Sequence, residues 1–129
     1  MRRKRILRHI FRFRGLAESF RLAAIGVSYL FVYHRNMRII FLSGVAAFLF
    51  GIYLQLKGIE LVALCLSITL VFMAEIFNTA IELIIDMHMK KYHTMVKLIK
   101  DISAAVVLIA SLNAVAVGFV LFYKKMFWR

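Results

Sequence analysis

"LVALCLSITLVFMAEIFNTAIELIID", residues 61–86, is an apolar run whose only charged residues are Glu75, Glu82 and Asp86. A helix needs about 20 residues, at about 1.5 Å each, to cross a hydrocarbon core of about 30 Å. The run is long enough for this, and all of its charge lies in its second half. It therefore predicts a transmembrane helix with one polar end.

Two further runs, residues 39–56 and 102–123, carry no charge at all. Hydrophobic residues make up 64% of the 129-residue chain and mean hydropathy is +0.86, against about 45–50% apolar residues in soluble domains. The runs are continuous, whereas the strands of membrane barrels alternate. We predict an all-α integral membrane protein with one domain, 1–129, and three transmembrane helices at 39–56, 61–86 and 102–123.

The N-terminal segment, 1–35, is basic and amphipathic. Seven of its first 14 residues are Arg or Lys, in a chain of net charge +12. A basic amphipathic helix lies in the headgroup plane of a membrane, and a chain this apolar meets anionic lipid rather than nucleic acid. We expect a surface helix here that binds anionic phospholipids, with no nucleic-acid partner.

The basic residues also predict the orientation of the chain. They are concentrated before residue 39 and in the segment 87–101, whereas the turn 57–60 has one lysine. By the positive-inside rule the N-terminus and the segment 87–101 are cytoplasmic. The basic tail, 124–129, is the feature that opposes this prediction.

The polar residues of 75–86 share one helical face. At about 100° per residue, Glu75, Asn78, Thr79, Glu82 and Asp86 occupy roughly one third of the circumference. A carboxylate in the membrane interior costs at least about 2.5–3.5 kcal/mol on insertion scales. The stripe therefore requires cations, metal or water, and indicates a polar pocket near the cytoplasmic boundary.

Lys97, Lys100 and Asp101 share a helical face at the start of the third span, by the i, i+3, i+4 rule. Carboxylates beside lysines can hold a divalent cation and orient phosphates, and a buried Glu can accept a proton from a hydroxyl. These residues favour phosphoryl transfer to a lipid and a proton or ion relay about equally.

Three segments carry a resemblance to a known family: "AEIFNTAIELIID" (74–86) followed by "YH", "KDISAAVVLI" (100–109), and "SFRLAAIGVSYLFVYHRNMRI" (19–39). Together they resemble the small prokaryotic diacylglycerol kinases, a family that includes undecaprenol kinases, over about residues 15–123. The resemblance implies a homotrimer in the prokaryotic cytoplasmic membrane. It also implies ATP-dependent phosphorylation of a lipid hydroxyl, of undecaprenol or diacylglycerol.

The resemblance also implies roles for individual residues. Glu75 matches the family's general base and Asn78 its polar partner. Glu82 matches a ligand of the Mg²⁺ that holds the ATP phosphates. The matching nucleotide-site residues are Asp86, Lys100 and Asp101, and we expect Glu18, on the surface helix, to contribute there as well.

One position departs from the family pattern. His34 stands where the family has a Glu that helps to hold the metal. Imidazole is a poorer Mg²⁺ ligand but suits Mn²⁺ or Zn²⁺, so His34 is either a weaker metal ligand or the mark of a non-catalytic paralogue. The neighbouring Arg35 and Arg38 are predicted to anchor the first span at the lipid headgroups.

Overall fold

The computed structural model describes residues 15–88 and 94–127, and this part of the chain is helical. By length and composition, each of the helices in these ranges is apolar enough to cross a membrane. This confirms the prediction of an all-helical integral membrane protein. The helices are α1 (Leu16–Tyr33), α2 (Arg35–Tyr53), α3 (Ile59–His88) and α4 (Thr94–Phe127).

The chain divides into two compact units, Met1–His34 and Arg35–Arg129. In the first unit α1 follows Gly15 and ends at Tyr33, and the backbone N–H of the next residue, His34, caps it by donating to the carbonyl of Leu30. Its side chains are almost all exposed. The first 14 residues of the predicted surface helix lie outside the described residues, and α1 itself has the length and apolar character of a membrane span.

In the second unit, α2 ends three residues before the predicted boundary at residue 56. Gln55 adopts a positive φ of 58°, the N–H of Leu56 donates to Gly51 O, and that of Gln55 donates to Ile52 O. This bond pair is a Schellman motif, which stops a helix at a left-handed residue. The left-handed position is usually glycine, and because Gln stands there no local residue pattern marks this end of the helix.

The turn before α3 also differs from the prediction. The chain reverses over residues 54–58, with Gly58 at a φ of 55°, and Ile59 and Glu60 already belong to α3. Glycine reaches this positive φ without the steric cost of a Cβ. The predicted turn at 57–60 therefore lies slightly too far along the chain.

The core of the second unit lies along α3, which packs more extensively against α4 than against α2. α2 approaches α3 closely at Gly44, where a Cβ would lie 2.9 Å from Ile68 Cγ2. The rings of Phe50 on α2 and Phe122 on α4 meet edge to face, 4.9 Å apart. α2 is thereby held against both of the longer helices.

The segment predicted as a loop, 87–101, is largely helical. α3 continues to His88 and α4 begins at Thr94, whereas residues 89–93 lie outside the described residues. Residues 95–101 contain no proline or glycine, and Met, Leu and Lys are good helix formers. The helices therefore extend beyond the apolar runs that predicted them.

Candidate functional site

The polar face of α3 runs from a buried end to an exposed end. Glu75 is 4% exposed and Asn78 is 9% exposed, whereas Glu82 is half-buried and Asp86 is exposed. From Glu75 to Asp86 the helix rises about 16 Å, since each residue adds about 1.5 Å. The predicted polar stripe thus exists as a graded row that connects the inside of the bundle with its surface.

The buried part of this row is tied to α4 by hydrogen bonds. Ser103 Oγ donates to Asn78 Oδ1 at 2.7 Å, and Asn78 Nδ2 donates to Glu82 Oε1 at 3.3 Å. Ser103, like Glu75, is 4% exposed. The amide of Asn78 therefore links a hydroxyl on one helix to a carboxylate on its own helix.

At the exposed end the row meets a cation. Lys100 Nζ donates to Asp86 Oδ1 at 2.7 Å, and both side chains are open to solvent, at 39% and 63% exposure. An exposed pair of this kind contributes little to stability. Its position next to Glu82 brings one ammonium group to the end of an acidic row, where a phosphate can be bound.

Five of the predicted site residues come together within the second unit. Glu75, Asn78, Glu82, Asp86 and Lys100 lie along the α3–α4 contact, as the hydrogen bonds and shared helical face show. Asp101 is exposed on α4, and Arg35 and Arg38 are exposed in the first turn of α2. Glu18 and His34 belong to the first unit, where Glu18 is exposed and the His34 ring lies 5.9 Å from that of Tyr29.

The described residues offer few side chains that could together bind a metal ion. In residues 15–88 and 94–127, no three Cys, His, Asp or Glu side chains cluster closely enough to hold one. Mg²⁺ is usually bound through one or two carboxylates together with substrate phosphates and water. Glu82, half-buried with Asp86 one turn away, fits a Mg²⁺ ion that a bound phosphate would complete.

An apolar groove of about 560 Å³ lies between α2, α3 and α4. On α3 it is lined by Leu64, Ser67, Ile68 and Val71. Steps of four, three and four residues lead from Leu64 through Ile68 and Val71 to Glu75, so the lining and the acidic row occupy one continuous helical face. This face is apolar along one half of α3 and acidic along the other.

Sequence reasoning missed Ser103, whose hydroxyl joins α4 to the polar row. Small polar residues such as Ser commonly form hydrogen bonds between membrane helices, and Ser103 lies one turn after Lys100. That spacing was the available signal. It was overlooked because a serine flanked by apolar residues carries no charge to attract attention.

Comparisons with known proteins show what this chain is similar to. Residues 21–122 match the family model described as prokaryotic diacylglycerol kinase. A diacylglycerol kinase of Synechocystis sp. is 41% identical over 105 residues, which cover 81% of this chain and 60% of that protein. An undecaprenol kinase of Bacillus subtilis is 29% identical over 92 residues, which cover 71% of this chain and 75% of that protein.

The aligned part thus spans about 60% of the length of the Synechocystis relative. The family model covers most of this chain, including α2, α3 and all but the last turn of α4. It also includes each residue of the row from Glu75 to Lys100. On this match, the chain belongs to the prokaryotic diacylglycerol kinase family.

Proposed function

We propose that this chain, acting as one domain, is a lipid kinase that transfers the γ-phosphoryl group of ATP to the hydroxyl of a membrane lipid. The relatives' names supply the class of acceptor, diacylglycerol or undecaprenol. The observation that carries the proposal is the single face of α3. On this face the buried Glu75 lies between the apolar groove and the acidic row. The row ends at Asp86, which pairs with Lys100 of α4.

An amphiphilic acceptor suits this face. Its hydrocarbon part requires apolar walls and its hydroxyl requires a polar partner at the end of those walls. The groove is within the range of about 300–1,000 Å³ of small-ligand pockets. A lipid lying in it would bring its hydroxyl to the depth of Glu75 by following the same side of the helix.

The proposed reaction assigns a step to each residue. The carboxylate of Glu75 accepts the proton of the lipid hydroxyl, whose oxygen attacks the γ-phosphorus while the bond from that phosphorus to the β–γ bridging oxygen breaks. ADP leaves and the lipid phosphate forms. Lys100 attracts the phosphates of ATP, and Asp86 holds the ammonium group in place at 2.7 Å.

The carboxylate of Glu82 would hold Mg²⁺. When bound, this ion neutralises charge on the phosphate oxygens. Asn78 fixes one oxygen of Glu82 through its amide. The proposal includes Glu18, Asp101 and His34 as further contacts to nucleotide or metal, and Arg35 and Arg38 as headgroup contacts.

The proposal also includes a homotrimer in the cytoplasmic membrane, with a cytoplasmic N-terminus and with anionic phospholipid bound to the basic segment 1–35.

The test is transfer of labelled phosphate from ATP to a panel of lipids, diacylglycerol and undecaprenol first, with Mg²⁺, Mn²⁺ or Zn²⁺. Glu75→Gln should lower kcat by about 10²–10⁴-fold, the usual contribution of a general base. The matched control is Glu60→Gln, an acid at the other end of α3 that pairs with Lys125 at 3.0 Å, and it should keep the rate. Absence of labelled lipid with every metal would refute the kinase.

A second function is favoured by one observation, the graded row itself. It leads from the exposed Asp86 to the buried Glu75, which is the course that a proton or ion relay requires. Ion flux through liposomes without ATP separates the two functions. Flux that Glu75→Gln abolishes, with no labelled lipid, would replace the kinase by the relay.

A further inference from the structure

We propose that Ser103 is a positioning residue, which fixes the side-chain amide of Asn78 and through it the carboxylate of Glu82. Its role in catalysis rests on the proposed kinase function, whereas its effect on the amide does not. The observation behind it is the pair of hydrogen bonds that passes from Ser103 to Asn78 and from Asn78 to Glu82.

The chemistry of the two neighbours allows the amide one orientation. A hydroxyl donates one proton and a carboxylate only accepts. Because a hydroxyl can also accept, the orientation is set by Glu82: its carboxylate must face the nitrogen of the amide, which leaves the amide oxygen facing Ser103 Oγ. The distances of 2.7 Å and 3.3 Å match this order, and a rotation of the amide by 180° would lose the bond to Glu82.

Burial makes the hydroxyl important. Asn78 and Ser103 are 9% and 4% exposed, so water is a poor substitute for either group. Without Ser103, Oδ1 of Asn78 would lose its 2.7 Å donor, and a buried acceptor left unsatisfied is costly. The amide of Asn78 would then be held only by its bond to Glu82. The carboxylate of Glu82 would in turn be bound by an amide that is no longer fixed.

Ser103 Oγ also lies 2.9 Å from the carbonyl oxygen of Lys100, one turn earlier on α4. The single hydroxyl proton is shared between this carbonyl and Asn78. The serine thus couples the backbone of the turn that carries Lys100 to the polar row of α3. This places the phosphate-binding lysine and the metal-binding carboxylate of the proposed site in a fixed register.

The experiment compares Ser103→Ala with Thr69→Val in the full chain, in detergent micelles. Thr69 is the control, because its hydroxyl donates to Cys65 O of its own helix at 2.8 Å and the residue lines neither the apolar groove nor the polar row. Ser103→Ala should lower kcat about three- to tenfold, the range for the loss of one hydrogen bond, and leave KM for ATP within about twofold. Thr69→Val should change neither.

Two further measurements separate positioning from a general loss of structure. In an Asn78→Ala background, Ser103→Ala should alter kcat by less than twofold, because the amide through which it acts is gone. If the double variant instead lowers kcat by the product of the two single-variant factors, the proposal is overturned. So would a Ser103→Ala enzyme that retains the wild-type kcat.

The second measurement requires no activity. The chain has three asparagines, Asn36, Asn78 and Asn113, so the side-chain amide of Asn78 can be assigned in an asparagine-labelled NMR sample by its loss in Asn78→Ala. Ser103→Ala should shift or broaden this resonance, and Thr69→Val should not. An unchanged resonance refutes the positioning role. An inactive wild-type protein with a shifted resonance refutes only the kinase.

Discussion

Asn78→Asp tests the amide–carboxylate pair most directly, because it keeps the shape of the side chain and replaces a donor by an acceptor with charge. The atom facing Glu82 Oε1 at 3.3 Å would become a carboxylate oxygen. At an effective dielectric constant of about 20, two unit charges at this separation repel by about 5 kcal/mol. Rotation of the half-buried Glu82 would relieve part of this repulsion.

We therefore expect a loss of about 2 kcal/mol in the free energy of unfolding, in the range for an unsatisfied buried polar group. On the scale of soluble domains this lowers Tm by roughly 5–10 °C. The assay is thermal melting of the purified chain in detergent with increasing MgCl₂. Mg²⁺ should restore much of the lost Tm, because a divalent cation between two carboxylates removes their repulsion, and NaCl at equal ionic strength should restore less.

The control exchanges the two groups. Asn78→Asp combined with Glu82→Gln again places one amide against one carboxylate, so the double variant should recover most of the wild-type Tm without Mg²⁺. A single variant that melts within about 1 °C of wild type would refute the pair as described. A double variant no better than the single one would do the same.

Three further predictions concern packing, nucleotide and metal. Gly44→Ala should lower Tm in a melting assay, because its Cβ would lie 2.9 Å from the stiff Ile68 Cγ2 and overpacking costs about 1–3 kcal/mol. Gly118→Ala is the control and should leave Tm unchanged, because its nearest contact would be at 3.6 Å. Equal shifts of Tm in the two variants would contradict this prediction. Lys100→Gln should raise KM for ATP about tenfold, a 1.4 kcal/mol effect, with little change in kcat; a steady-state series that shows the reverse would remove the lysine from nucleotide binding. His34→Glu should raise the rate in Mg²⁺, and a lower rate would make histidine the adapted residue.

The sequence was sufficient for the membrane class and for the polar row. Charge is rare in such an apolar chain, so the spacing of Glu75, Asn78, Glu82 and Asp86 gave the face by helical periodicity alone. These features depend on local spacing, which a sequence shows directly.

The features that the sequence did not predict depend on contacts between helices. Ser103 matters because Asn78 lies opposite it, and no local pattern records that neighbour. The end of α2 at Gln55 depends on a left-handed residue that is usually glycine. The extension of α4 back to Thr94 was hidden because apolar runs mark membrane depth rather than helix length.

The two long helices are tied at both ends by an acid and a lysine: Glu60 with Lys125 at 3.0 Å, and Asp86 with Lys100 at 2.7 Å. The acids are 26 positions apart on α3 and the lysines 25 positions apart on α4. The distances between the two ion pairs, measured along each helix, therefore agree to within about one 1.5 Å rise. Inserting a single residue between Lys100 and Lys125 would turn one end of α4 by about 100° relative to the other. A substitution on these two helices therefore changes one contact at a time, whereas an insertion or deletion shifts one of the two acid–lysine pairs out of register with the other.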